Sequence, residues 1–90
     1  MAQGRHKPVT MYLRPSCPFC LMARELLEAR QVGVDEIDIN VEPERRGEMI
    51  EKSGRRTVPQ IFINDVPIGG YDELAALARS GRLDELLGRD

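Results

Sequence analysis

The chain has 90 residues, and 13 Lys and Arg against 15 Asp and Glu leave a formal charge of −2. That is enough for one modest core and no second domain. No apolar run exceeds five residues, whereas a membrane-spanning helix needs about 20, so no membrane partner is expected. The basic side chains are interleaved with acids instead of gathered on one stretch, which argues against a nucleic-acid surface. The opening Met1 to Pro8 is polar and lacks the apolar segment of a secretory signal. The expectation is therefore a single domain over residues 1–90 with a flexible leader at 1–8, monomeric and cytoplasmic.

Val9-Thr10-Met11-Tyr12-Leu13 alternates apolar and less apolar residues and predicts a first strand. After Arg14-Pro15-Ser16 the period changes. Phe19, Met22, Ala23, Leu26 and Leu27 recur at helical spacing with Arg24, Glu25, Glu28 and Arg30 opposite, which predicts an amphipathic helix with Phe19 and Met22 on its apolar face. Pro18 suits the first helical position, so Cys17 becomes the N-cap and Cys20 sits one turn inside. Ile37, Ile39 and Val41 then alternate with Asp38 and Asn40 as a second strand.

Pro43 opens a weaker helix over 44–53, with Met49 and Ile50 inward and Gly54 as its stop. Gln60 to Ile63 and Val66 to Ile68, separated by Asn64-Asp65, read as an antiparallel hairpin. Pro59 and Pro67 lack an N–H and belong at a strand start or a sheet edge. Asp72 is placed to cap a helix running to about Arg79 with Gly81 at its end, and Leu83, Leu86 and Leu87 give one more short helical piece. The order β-α-β-α-β-β-α combines a parallel pair joined by a right-handed crossover with an antiparallel hairpin. The fold class is α/β, a four-stranded mixed sheet flanked by helices.

Cys17-Pro18-Phe19-Cys20 carries the chemistry. The thiolate is the attacking species in thiol exchange, and a helix N-terminus favours it with unpaired N–H groups and a partial positive charge. Cys17 at the cap receives that help, with Arg14 nearby, while Cys20 is shielded and suits a resolving role. Two cysteines three positions apart close too small a loop to staple a fold. A zinc site wants four ligands, and beyond this pair the chain offers only His6, so no metal is expected.

The run Tyr12-Leu13-Arg14-Pro15-Ser16-Cys17-Pro18-Phe19-Cys20, then Thr57-Val58-Pro59-Gln60-Ile61-Phe62-Ile63, then Ile68-Gly69-Gly70-Tyr71-Asp72-Glu73-Leu74, resembles the bacterial dithiol glutaredoxins. The likeness spans nearly the whole chain. It implies a thioredoxin-like fold and a glutathione-dependent thiol–disulfide oxidoreductase. Its co-substrate would be glutathione and its partners disulfide-containing or glutathionylated proteins. By the same resemblance, Cys17 is the nucleophile, Cys20 the resolver and Pro59 the family's cis-proline. Thr57 and Val58 pair with the extended tripeptide. Gly70, Tyr71 and Asp72 receive its γ-glutamyl end, and Phe19, where relatives often carry tyrosine, forms an apolar wall. Arg14, where relatives often carry lysine, pairs with the glycine carboxylate, and Tyr71 stands where cysteine is frequent.

Arg55 and Arg56, just before Thr57, could steer an anionic tripeptide. Blander readings stay open beside these: Phe19 as a packing residue, Gly69-Gly70 as a simple turn, Asp72 as an N-cap, and Arg55-Arg56 as part of a solvated loop. At the level of function the alternatives are a reductase-coupled redoxin that does not use glutathione, a [2Fe–2S] cluster carrier and a redox-inert interaction domain.

Overall fold

The computed structural model describes residues 5–89. The elements are β1 (Val9–Leu13), α1 (Pro18–Ala29), β2 (Asp35–Asp38), α2 (Arg45–Ser53), β3 (Gln60–Ile63), β4 (Val66–Gly69), α3 (Tyr71–Ser80) and α4 (Arg82–Leu87). The strands form one sheet in the order β2-β1-β3-β4. β1 pairs parallel with β2 and antiparallel with β3, and β3 and β4 form the hairpin. Asn64 and Asp65 both take left-handed backbone, φ 52° and 66°, the pair of conformations a two-residue hairpin loop requires. Pro67 falls on the edge strand, where a missing N–H leaves no ladder bond unmade.

Alternation along the central strands gives the sheet two apolar faces. Val9, Met11 and Leu13 of β1 and Ile61 and Ile63 of β3 join Ala23 and Leu27 of α1, Leu74 of α3, and Leu83 and Leu87 of α4 in the larger core. Tyr12 and Phe62 point the other way and meet Ile37, Ile39 and Met49, with Ile50 packed against them. The Tyr12 hydroxyl donates to the Glu48 carboxylate, which also accepts from Arg45 at 2.8 Å. Burial, then the bond to Glu48, pushes the Tyr12 phenol up to about 12, while Arg45 and then Tyr12 hold Glu48 below the usual carboxylate range.

Three expectations change. The second strand is shorter than its alternation predicts: Ile39 still donates its N–H to Leu13 O at 3.0 Å, but the Asp38 carboxylate accepts from the N–H groups of Asn40 (2.8 Å) and Val41 (3.3 Å). That side chain competes with the ladder and turns the chain, leaving Val41 75% exposed. Second, the buried stripe of α1 is Cys20, Ala23 and Leu27, and Phe19 and Met22 are exposed. Counting Cys20 as a core residue fixes the stripe, and at about 100° per residue Phe19 and Met22 then turn away from it. Third, residues 6–8 of the expected leader are bonded to the fold. Lys7 N–H donates to Leu87 O (2.8 Å), Gly33 N–H to His6 Nε2 (3.0 Å) and Asn64 N–H to Pro8 O (2.8 Å). The leader's first four residues lie outside the described ones.

Leu27 is fully buried, so Leu27→Ala should cost about 2–5 kcal/mol in urea unfolding. Val41→Ala should stay within about 0.5 kcal/mol, because its side chain stands in solvent.

Candidate active site

Antiparallel pairing brings the end of β1 beside the start of β3, with Tyr12 opposite Gln60. Gly69, the last residue of β4, pairs with Ile61. The loops β1–α1, α2–β3 and β4–α3 therefore emerge at one end of the sheet, and each brings a part of the site.

The first brings sulfur. Cys17 is the N-cap of α1 in extended backbone, and its Sγ accepts from Cys20 N–H at 3.2 Å, with Pro18 in the first helical turn. Thus sulfur takes the place that a serine or aspartate oxygen usually fills at a cap. The same Sγ lies 3.7 Å from Val58 O, on the second loop. Both cysteines are free thiols, Cys17 half-buried and Cys20 buried. Burial, then the bond to Cys17, pushes the Cys20 thiol up to about 12, against the opposing pull of the Arg14 backbone N–H and guanidinium.

The second loop brings Thr57, Val58 and Pro59, with the Val58–Pro59 bond cis. Gln60 is buried and donates from Nε2 to Thr57 O at 2.9 Å, which ties the loop to the start of β3. The third loop turns at Gly69, whose φ of +117° excludes ordinary side chains and whose Cβ would lie 2.9 Å from Glu73 Cδ. Glu73 accepts from Gly70 N–H at 2.8 Å and from Arg55 Nη1 at 3.2 Å. Those donors, the Gly70 backbone first, hold its carboxyl below the usual range.

The cap of α3 is thus Gly70, and the expectation that Asp72 would serve is corrected. Glu73 in the third helical position reaches back to Gly70 N–H, which leaves Asp72 exposed in the first turn. There its charge faces the positive end of the helix.

A cleft of about 350 Å³ runs between these loops. Arg55 and residues 57–60 form one wall, Gly70 to Glu73 the other, and Phe19 of α1 completes it. The Phe19 and Tyr71 rings lie 6.1 Å apart, tilted by 32°. Of the expected binding residues, Phe19, Thr57, Val58, Pro59, Gly70, Tyr71 and Asp72 all line this cleft. Arg14 stands exposed outside the lining, its carbonyl accepting from Cys17 N–H at 3.3 Å. Gln60 and Glu73 are lining residues that sequence reasoning did not assign, and Arg55, read there as part of a solvated loop or as steering an anionic tripeptide, also lines the cleft. The Gly-x-x-Glu spacing before an apolar run was the available signal for Glu73. Among the described residues no group of three or more His, Cys, Asp or Glu is placed to hold a metal ion. Nor is any helix there long and apolar enough to cross a membrane.

Comparison with known proteins gives a consistent set of relatives. The family model for glutaredoxin matches residues 9–68. A glutaredoxin of Neisseria meningitidis serogroup A is 50% identical over 80 residues, covering 88% of this chain and 94% of its own. Glutaredoxin 3 of Escherichia coli K12 is 47% identical over 79 residues, covering 88% and 95%. The solution structure of glutaredoxin from Brucella melitensis superposes with a TM-score of 0.79 at 49% identity, covering 93% of this chain and 91% of that one. The crystal structure of a buckwheat glutaredoxin–glutathione complex gives 0.84 at 25% identity, covering 91% and 77%. The fold is thioredoxin-like.

The two thiols should separate cleanly under alkylation. With iodoacetamide at pH 7, mass spectrometry should find Cys17 modified at least about tenfold faster than Cys20. Cys20 should stay protected in native protein up to about pH 10 and react on denaturation, because its thiol titrates near 12. Equal native rates would contradict the asymmetry.

Proposed function

The chain belongs to the glutaredoxin family and is a thiol–disulfide oxidoreductase, and on that premise we propose that it works with glutathione, reducing protein disulfides and protein–glutathione mixed disulfides. The observation that carries this reading is the double place of Val58. Its carbonyl lies 3.7 Å from Cys17 Sγ, and the same residue lines the cleft. A ligand held along the Thr57–Pro59 backbone is therefore brought up to the reactive sulfur. Extended main-chain pairing there, with Gly70, Tyr71 and Asp72 at the γ-glutamyl end and Phe19 as apolar wall, suits a short peptide thiol. The buckwheat relative was solved with glutathione. The activity is proposed for a monomer, in a cytoplasm that keeps thiols reduced.

The exchange proceeds in balanced steps. The Cys17 thiolate attacks the glutathione sulfur of a mixed disulfide. The protein–glutathione S–S bond breaks, a Cys17–glutathione disulfide forms, and the substrate leaves as thiolate and takes a proton. The thiolate of a free glutathione attacks the glutathione sulfur on Cys17, giving glutathione disulfide and free Cys17, so one glutathione is consumed and the other half of the product is the group taken from the substrate. With a protein disulfide as substrate, the mixed disulfide at Cys17 is attacked by Cys20 after loss of its proton. That releases the reduced protein and leaves a Cys17–Cys20 disulfide. The high position of the Cys20 thiol keeps it protonated, and so idle, until this step.

Substitution separates the two half-reactions. Cys17→Ser should abolish both. Cys20→Ser should keep deglutathionylation of a glutathionylated peptide within about threefold of the parent while losing at least about tenfold on a protein disulfide. Turnover with a thioredoxin reductase and none with glutathione would overturn the reading.

A further inference from the structure

We propose that the apolar groove between β4, α3 and α4 docks protein disulfide substrates by an aliphatic segment that lies a few residues from the reactive cysteine and ends in an acidic residue. The inference rests on the reading above that protein disulfides are substrates. The groove has a volume of about 510 Å³, against about 350 Å³ for the cleft. Its floor is aliphatic: Ile68 of β4, Leu77 of α3 and Leu86 of α4 pack against the main core, are half-buried, and line the groove. The α3 residues that line it, Glu73, Ala76, Leu77 and Ser80, have the spacing of one helical face. That face is distinct from the one that carries Leu74 and Ala75 into the core.

Three features select the occupant. The first is continuity: Glu73 lines both the cleft and the groove. From Glu73 the α3 face rises about 10 Å to Ser80, room for about three extended residues. A polypeptide whose cysteine is presented to Cys17 through the cleft can therefore run on past Glu73 into the groove, whereas a tripeptide seated in the cleft ends before it. The second feature is charge. Arg82 stands at the far end of the groove, its Nε 4.0 Å from the Glu85 carboxylate, with the two side chains 65% and 71% exposed. A pair so open is weak, so the guanidinium is available to a carboxylate that follows the aliphatic stretch. The third is Pro67, which offers no N–H on the outer edge of β4. A strand added to that edge would lack a ladder bond, so the groove suits aliphatic side chains and not a paired main chain.

The test uses symmetric disulfides of synthetic cysteine peptides, so that attack on either sulfur forms the same Cys17–peptide disulfide and releases the same peptide thiolate, which takes a proton. Each peptide carries the tail Leu-Ile-Leu-Glu or the polar tail Ser-Asn-Ser-Glu, joined to its cysteine by a Gly-Ser spacer of about two to eight residues. Loss of the Cys17 thiol on the full chain is followed by quenched-flow alkylation and mass spectrometry. At the best spacer the aliphatic tail should react about tenfold faster than the polar one, and the advantage should vanish at the shortest spacer. Ala76 is exposed in the groove, and Ala76→Lys, a good helix former there, should bring the ratio of the two rates to about one. Arg82→Gln should slow the aliphatic peptide about threefold. The rate with glutathione disulfide, which ends at the cleft, reports whether the site of each variant is folded. Equal rates for the two tails at every spacer, or a preference that survives Ala76→Lys, would overturn the proposal. So would a parent protein that sediments as a dimer and whose Ala76, Leu77 and Ser80 amide resonances shift on dilution, because the groove would then belong to a second copy. A Cys17 that reacts with none of these disulfides would overturn the proposed function itself; one that reacts with glutathione disulfide and treats both tails alike would overturn only this inference.

Discussion

A helix that begins at the surface must satisfy its first N–H groups with something other than its own backbone, and here that something is a sulfur. Cys17 Sγ accepts from Cys20 N–H at the cap of α1. This one contact ties reactivity to folding, because whatever stabilises α1 also holds the sulfur in line with the helix dipole. It also makes two identical side chains unlike. Cys17 stays half-buried at the edge of the apolar core, and Cys20 is carried by a single helical turn into it beside Ala23 and Leu27. Desolvation then suppresses ionisation of the inner thiol. The difference between the two sulfurs thus follows from the pitch of a helix.

The sheet supplies the second constraint. With β1 and β3 antiparallel, the chain leaves β1 toward Cys17 at the same end where it enters β3 through Val58 and Pro59. The hairpin returns β4 to that end and sends Gly70 to Glu73 out beside them. Sequence separations of about forty residues collapse to neighbouring loops because of register, and register is held by packing on both faces. Slipping β3 by one residue would turn Ile61 and Ile63 out of the larger core and Phe62 away from Tyr12. The geometry of the cleft is in this sense a property of the core.

Much of this was legible in the sequence, because the strands, the hairpin turn, the Cys17 cap and the facing loops each have a local chemical signature. What was not legible depended on choices between equivalent local options. At 37–41 the alternation continued through Val41, but Asp38 had a competing use for its carboxylate and ended the strand early. On α1 the apolar positions outnumbered those the core could accept, and Cys20 displaced Phe19 from the stripe. At the start of α3, Gly70 and Asp72 both qualified as caps, and the outcome was set by Glu73 reaching back one turn. Between Arg55 and Arg56 no sequence rule discriminates. A tertiary partner, Glu73, does.

The placement of the aromatics shows how a chain of this size reconciles stability with an open site. It has two Phe and two Tyr and no Trp. Tyr12 and Phe62 pack edge to face, ring centroids 5.6 Å apart, inside the smaller core. Phe19 and Tyr71 form the other pair at the mouth of the cleft, with Phe19 54% exposed. Tyr71 is half-buried against the main core, but Phe19 is largely withheld from folding, where its full burial would contribute about 1.5–3 kcal/mol. The fold tolerates this because leucines of α1, α3 and α4 fill the main core without it. The consequence is an aromatic wall lining the cleft. Since Phe19 and Tyr71 stand in the first turns of different helices, that wall exists only when α1 and α3 are both docked on the sheet. That apolar surface is thus assembled by the packing of the fold itself, from the first turns of two helices held on one face of the sheet.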